Sequence, residues 1–293
     1  MADEKTAAEQ PQKFETVIKP KNGWMDLHLK EVWAYRDLVL LFVKRNFVSQ
    51  YKQTILGPAW ALIQPLLTTV VFTLVFGGIA GLAPAGVNSF VYYLCGTVAW
   101  NYFSTCLTMT SSTFTANASI FGKVYFPRLV LPLSTVITNL ISFAIQFSFF
   151  LVAWAICMFL PGNAMVPGWQ IALIPLLIVQ MALLALGFGI IISALTTKYR
   201  DLAMLVSFGV QLWMYATPVA YPASMFAGSR FYSLYWCNPT APIIETFRYA
   251  FLGGEAASWR PEYLLISAAV TLAVLFLGVV LFSRVEKTFM DTV

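Results

Sequence analysis

The chain is 293 residues long, 59% apolar and only 11% charged, where an ordinary soluble domain carries roughly 25% charge. No Asp, Glu, Lys or Arg occurs from Gln53 to Gly122 or from Leu129 to Thr197, so these stretches have no surface suited to water and a typical cytosolic enzyme is excluded; lipid is their solvent. The formal charge of +5 does not point to nucleic acid, because the basic residues stand at the ends of apolar segments and form no single face.

In chain order, residues 1–25 read as a flexible polar tail containing acids, unlike a cleaved signal peptide. The first spanning helix is therefore expected to act as its own insertion signal. Residues 26–54 mix Leu27, Val32, Tyr35, Leu38, Leu41, Phe42 and Val48 with Lys30, Arg36, Lys44, Arg45 and Lys52. That pattern suits an amphipathic helix lying along the cytoplasmic headgroup layer, with packing against a soluble partner as the alternative.

Six apolar segments follow within residues 55–283, at about 58–82, 90–110, 130–160, 169–195, 202–220 and 263–282. Each is long enough at 1.5 Å per residue to cross the ~30 Å hydrocarbon layer, or nearly so. The expected fold class is all-α integral membrane, with six transmembrane helices. Between spans five and six, residues 221–261 are too apolar for a solvated loop. Asn238 is placed to cap a helix from Pro239 through Ile243, Phe247 and Phe251 that stops at Gly253 and Gly254. This segment reads as short re-entrant helices that line or close an exit on the outer side. Residues 284–293 form a short tail.

Lys and Arg fix the expected orientation. They crowd the N-terminal region, the 115–128 connection (Lys123, Arg128), the connection after span four (Lys198, Arg200) and the C-terminus (Arg284, Lys287), while the first two outer loops carry none. Both termini are thus expected in the cytoplasm.

Several chemistries lack their residues. His28 is the only histidine, and Cys95, Cys106, Cys157 and Cys237 show no CxxC spacing, so neither a His-based triad nor a zinc cluster is indicated. No predicted span has an ionisable residue at its middle, which argues against coupling to a proton or sodium gradient. No GxxxxGK[ST] loop is present either, so any ATP that drives transport is handled by another polypeptide.

The stretches YKQTILGPAWALIQP (51–65), NASIFGKVYFPRLVLPLS (117–134), TTKYRDL (196–202), MYATPVAYP (214–222) and NPTAPIIETFRYAFLGG (238–254) carry a resemblance. Together and in this order, they resemble the membrane subunit of ABC-2 type exporters of O-antigen and teichoic-acid-like polysaccharides, over nearly the whole chain after about residue 30. The resemblance implies a permease, not an enzyme, working as a homodimer with two copies of a separate ATPase that holds ATP and Mg. It implies an undecaprenyl-diphosphate-linked polysaccharide as cargo and a multi-pass location in the bacterial inner membrane. No cofactor is expected on this chain. Export of a drug, a lipid or another surface glycan such as teichoic acid or capsule stays open on the same architecture. A membrane-embedded enzyme would need a catalytic constellation that the sequence does not offer.

Site residues follow from the resemblance and from residue chemistry. In the related family the 115–128 position holds a coupling helix seated on the ATPase, which assigns Ile120, Phe121, Val124 and Tyr125 an apolar contact flanked by Lys123 and Arg128. Tyr199, Arg200 and Asp201 are a second contact candidate, or equally a topology-obeying Arg beside a capping Asp. Tyr92, Tyr93, Trp100, Asn101 and Tyr102 on span two, with Gln211, Trp213 and Tyr215 on span five, suit a low-charge aromatic lining for sugars, although Trp and Tyr also serve as interfacial anchors. Lys44, Arg45, Lys52 and Arg200 are candidates for the lipid pyrophosphate; attraction to anionic lipid accounts for the first three as well. Gly77 and Gly81 form a GxxxG suited to close helix approach within or between subunits.

Overall fold

The computed structural model describes residues 29–121, 126–160, 165–196, 199, 201–226, 228–229 and 232–288, and among them every regular element is helical. Two helices, α1 (Leu29–Ala34) and α2 (Arg36–Tyr51), open the described chain, broken at Tyr35. α2 turns Val39, Phe42 and Val43 inward, at the i, i+3, i+4 spacing of one helix face. Those three join Phe114, Phe126, Val130, Leu131, Ile190 and Phe282 in one cluster. Leu40, Leu41 and Val48 stay exposed on the same helix, so α2 has apolar side chains on both its protein side and its outer side.

α3 (Trp60–Phe72) continues into a wider winding over Thr73–Ile79. Pro65 inside α3 has no N–H for the Ala61 carbonyl four residues back. The amide of Gln146 donates to that carbonyl instead, at 2.9 Å, meeting the rule that backbone groups in a bilayer must find partners within the protein. Gly77 packs against Ser89 and Tyr93, whereas Gly81 has φ +63 and open surroundings. Of the sequence GxxxG, only Gly77 therefore serves a helix contact within this chain.

The centre of the bundle is α4 (Ser89–Ser111), in which sixteen of twenty-three residues are buried. Asn88 begins it by accepting from the backbone N–H groups of Phe90 and Val91. The short α5 (Thr113–Ala116) and α6 (Ala118–Phe121) follow, then α7 (Val130–Met158), α8 (Ile174–Thr196) and α9 (Leu202–Tyr215). A glycine pair on α8 allows close packing on two sides. A Cβ on Gly187 would lie 2.9 Å from the Leu275 backbone nitrogen, and one on Gly189 would lie 2.6 Å from Thr110. Hydrogen bonds between helices supplement these contacts: Gln180 donates to Ser267 at 2.9 Å and Thr196 to the Ser111 carbonyl at 3.1 Å.

After α9 the chain folds back through α10 (Tyr232–Trp236) and α11 (Thr240–Leu252) before α12 (Pro261–Thr288). The fifth apolar segment, expected to stay helical to about 220, leaves its helix at Tyr215. Asn238 explains the departure: its amide nitrogen donates to the Ala216 carbonyl and to the Thr217 hydroxyl, while its oxygen accepts from the Thr240 N–H and from Trp213. One side chain thus holds the end of α9 and the start of α11 together. Gly253, at φ +86, ends α11 in a conformation that L side chains resist.

Among the described residues, four helical segments are long and apolar enough to cross a membrane: Gly57–Ile79, Val130–Met158, Trp169–Thr196 and Pro261–Arg284. α4 is comparable in length but richer in Tyr, Thr, Ser and Asn, and α9 is shorter.

Candidate functional site

Two features stand out where α4 meets its neighbours. The first is a buried ion pair on α11. Glu245 and Arg248 lie one turn apart, both fully buried, with Arg248 Nη1 3.7 Å from Glu245 Oε1. Arg248 Nη1 also donates to the Tyr92 hydroxyl at 3.0 Å and to the Pro218 carbonyl, and Nη2 donates to the Val219 carbonyl at 2.6 Å. The guanidinium carbon sits 4.1 Å from the centre of the Tyr92 ring. Gly96 on α4 leaves the room for it, since the space a Cβ would take there is filled by the guanidinium. Glu245 in turn accepts from the Ser258 N–H at 3.0 Å. Most of the guanidinium and one carboxylate oxygen thus have partners of suitable polarity, which helps the ion pair survive burial, while Arg248 Nε and Glu245 Oε1 make no hydrogen bond among the described residues.

Arg248 therefore ties α11 to α4 and to the turn after α9. The C-terminal end of α11 is held from a third side, because Trp154 of α7 donates to the Phe251 carbonyl at 2.9 Å. The sequence pattern alone assigned Arg248 and Glu245 no role. The available signal was their i, i+3 spacing within an otherwise apolar helix. The spans themselves carry no charge at their middles, yet the neighbouring helix brings one into contact with α4.

The second feature is a groove between α2, α3, α4 and α7, with a cavity of about 580 Å³. That volume falls in the ~300–1,000 Å³ range of small-molecule clefts. Gln50, Tyr51, Trp60, Gln64, Asn101, Tyr102 and Ser142 are among its lining residues, and among the described residues no charged side chain belongs to the lining. The Tyr51 and Ser142 hydroxyls are hydrogen-bonded to each other at 3.0 Å, linking α2 to α7. A second cavity of about 370 Å³ adjoins the first, shares Gln50 and Asn139 with it, and includes Arg45.

The sequence-predicted residues divide between these places. Tyr92 and Tyr93 are fully buried, Tyr92 against Arg248, and Trp100 is buried beside Trp213 at a ring distance of 6.4 Å. Asn101 and Tyr102 line the larger cavity. Gln211 and Tyr215 stand on the exposed side of α9, while Trp213 is half-buried. Lys44, Arg45 and Lys52 are exposed on or just after α2, and Arg45 lies over the Phe42 ring at 4.5 Å.

Of the coupling candidates, Ile120 packs against the cluster that includes Phe114 and Phe126, Arg128 is half-buried, and Tyr199 and Asp201 are exposed. Lys123, Val124, Tyr125 and Arg200 lie outside the described residues, as does the side chain of Phe121. The larger groove joins Asn101 and Tyr102 to residues that sequence reasoning passed over, notably Gln64, Asn139 and Gln146. Gln146 and Asn139 were legible as isolated amides in an otherwise apolar segment.

Long apolar helices around an uncharged polar groove define an integral membrane protein of the transport type. The chain belongs to the ABC-2 type transporter family, whose family model matches residues 37–252. Among curated relatives, it is 27% identical over 267 residues to the O-antigen export system permease protein RfbA of Myxococcus xanthus, covering 90% of this chain and 98% of that one. It is 28% identical over 255 residues to an RfbA of the same description from Klebsiella pneumoniae, covering 87% of this chain and 94% of the relative. A further Klebsiella pneumoniae RfbA is 26% identical over 268 residues, covering 91% and 99%.

Proposed function

We propose that this chain is the permease of an ATP-driven exporter that moves a lipid-linked, O-antigen-like polysaccharide out of the cytoplasm across the inner membrane. The observation that carries this reading is similarity along almost the full length to permeases described as O-antigen exporters, covering about nine-tenths of the chain. The uncharged, amide- and hydroxyl-bearing groove is in keeping with a sugar cargo.

In this reading α4 and α9 are the second and fifth of six spans, and both termini face the cytoplasm. Two copies of the chain enclose the path and pair with two copies of an ATPase that supplies ATP hydrolysis. Segment 115–128 and the neighbourhood of Tyr199, Arg200 and Asp201 receive the force. Lys44, Arg45, Lys52 and Arg200 attract the pyrophosphate of an undecaprenyl-diphosphate-linked chain.

Deleting the gene in its native host tests the central claim. Long-chain surface polysaccharide is expected to disappear from the cell envelope and to accumulate inside, and an ATPase is expected to co-purify with the tagged chain. Unchanged surface glycan overturns the reading. Within it, Phe121→Asp is expected to leave ATP hydrolysis running while export falls; normal export by that variant removes the 115–128 segment from the coupling path.

A further inference from the structure

The smaller cavity carries a charge that the larger one lacks. Arg45, Asn46 and Ser49 of α2 form one wall, Ser112, Ala116 and Asn117 around α5 form a second, and α7 forms a third. Among the described residues no Asp or Glu belongs to this lining, so the guanidinium meets no carboxylate there and the cavity favours an anion. Of Lys44, Arg45 and Lys52, Arg45 is the one that lines either cavity. Its guanidinium is also oriented in advance. Nε and Nη2 donate to Asn46 Oδ1 at 3.3 and 3.1 Å, and the central carbon sits 4.5 Å from the middle of the Phe42 ring.

Two contacts join this guanidinium to segment 115–128, which the export reading places against the ATPase. Ala116 and Asn117 of that segment share the cavity with Arg45. Phe42, beneath the guanidinium, meets Phe126 of the same segment with ring centres 5.8 Å apart. Both rings are buried in the cluster against which Ile120 packs. Close-packed interiors transmit strain, so a shift of the Phe42 ring displaces Phe126 with it.

We propose that the smaller cavity seats a lipid-borne phosphate on Arg45, and that Phe42 and Phe126 relay its arrival to segment 115–128, so that ATP hydrolysis quickens when cargo is loaded. This inference rests on the export reading and adds to it a sensor that links loading to the motor. The diphosphate joining a glycan to its lipid and the headgroup of an anionic phospholipid share this chemistry, and the test separates them.

The test uses the full-length chain with its co-purifying ATPase in nanodiscs of phosphatidylcholine, with farnesyl diphosphate as the probe. Farnesyl diphosphate is expected to bind and to raise ATP hydrolysis, and farnesol is expected to do neither. Arg45→Gln is expected to weaken binding by about tenfold or more, the effect of losing a charge-assisted hydrogen bond. Arg36, exposed at the start of α2, lies about 14 Å away along the helix, beyond the ~8–10 Å reach of a screened charge. Arg36→Gln is therefore expected to change binding by less than about twofold. Equal effects of the two variants, absence of binding, or equal stimulation by farnesol overturn the seat. Phosphatidylglycerol that displaces the probe and stimulates hydrolysis by itself assigns the cavity to bilayer lipid and overturns the cargo sensor.

Phe126 is not among the cavity's lining residues, so Phe126→Leu is expected to leave probe binding in place while stimulation is lost. Full stimulation in that variant removes the relay. Should Phe126→Leu fail to accumulate in the membrane, Arg45→Lys decides the matter, because it keeps the charge and gives up the flat face over Phe42. It is expected to bind the probe more tightly than Arg45→Gln and still to lose stimulation; stimulation equal to the parent's overturns the relay. The deletion strain separates this claim from the one beneath it. If deletion abolishes surface glycan while farnesyl diphosphate neither binds nor stimulates, export stands and the sensor falls; if deletion leaves surface glycan intact, the export reading itself falls.

Discussion

Arg248 exchanges water for two backbone carbonyls, a phenol and the face of an aromatic ring. A lysine there has neither the fork that reaches two carbonyls at once nor the flat surface that lies over Tyr92. Removing the guanidinium also leaves Glu245 buried without its counter-charge, so Arg248→Met is expected to cost about 3–5 kcal/mol, the usual penalty for breaking a buried pair. Arg248→Met combined with Glu245→Gln is expected to recover part of that loss, because the stranded charge is gone. Tyr92→Phe removes one hydrogen bond and keeps the ring, and is expected to cost only about 0.5–1.5 kcal/mol. Thermal unfolding of the purified protein in one detergent ranks the three; a Tyr92→Phe loss equal to that of Arg248→Met contradicts the assignment of the guanidinium as the centre of the node.

Packing between elements depends on how closely their backbones approach. Burial against lipid supplies little drive for helices to associate, so small residues and shared hydrogen bonds carry more of the work. On α8, Gly187 faces the Leu275 backbone of α12, and a Cβ on Gly278 of α12 would lie 2.8 Å from the Gly187 carbonyl. Gly187→Val must push α12 outward and is expected to destabilise the bundle by about 1–3 kcal/mol, as overpacking does. Gly209→Ala on α9, where nothing lies within 4 Å of the added carbon, is the comparison expected to unfold at nearly the parent temperature. Equal melting temperatures for the two variants would mean that the α8 and α12 contact is not a tight one. These element relations differ in how readable they were. Charge-free runs reveal apolar helices directly, because every exposed charge would face lipid, and Asn238 followed by Pro239 marks a helix start through capping chemistry. The early end of α9 was not legible: it depends on Asn238 reaching back to the Ala216 carbonyl, twenty-two positions away. The Arg248 node was hidden for the same reason, since its partners Tyr92 and Pro218 are 156 and 30 positions distant. Gln146 stands out in sequence as an isolated amide, but its partner was unreadable without knowing that Pro65 frees a carbonyl on a facing helix.

For the whole molecule, direction across the membrane decides which end of the groove meets the cytoplasm. Lys and Arg crowd the N-terminal region, two later connections and the C-terminal end, while the first two outer loops have none, and positively charged segments are retained on the cytoplasmic side. In that orientation the turn between α10 and α11 is expected to face outward, and it contains Cys237, an exposed thiol. Cys95 and Cys106 are buried in α4 and shielded from aqueous reagents. A membrane-impermeant maleimide added to intact spheroplasts is therefore expected to label Cys157→Ser, which keeps the exposed Cys237, and to leave the double variant Cys157→Ser, Cys237→Ser unlabelled. In that double-variant background, Ala34→Cys on the exposed side of α1 is expected to react only after the membrane is opened. Labelling of Ala34→Cys from outside, with Cys237 protected until lysis, would reverse the orientation and place the α2 end of the groove away from the compartment where the glycan is made. That result would separate the groove from its cargo even with every helix contact intact, because an exporter's loading site must open to the side that supplies the substrate.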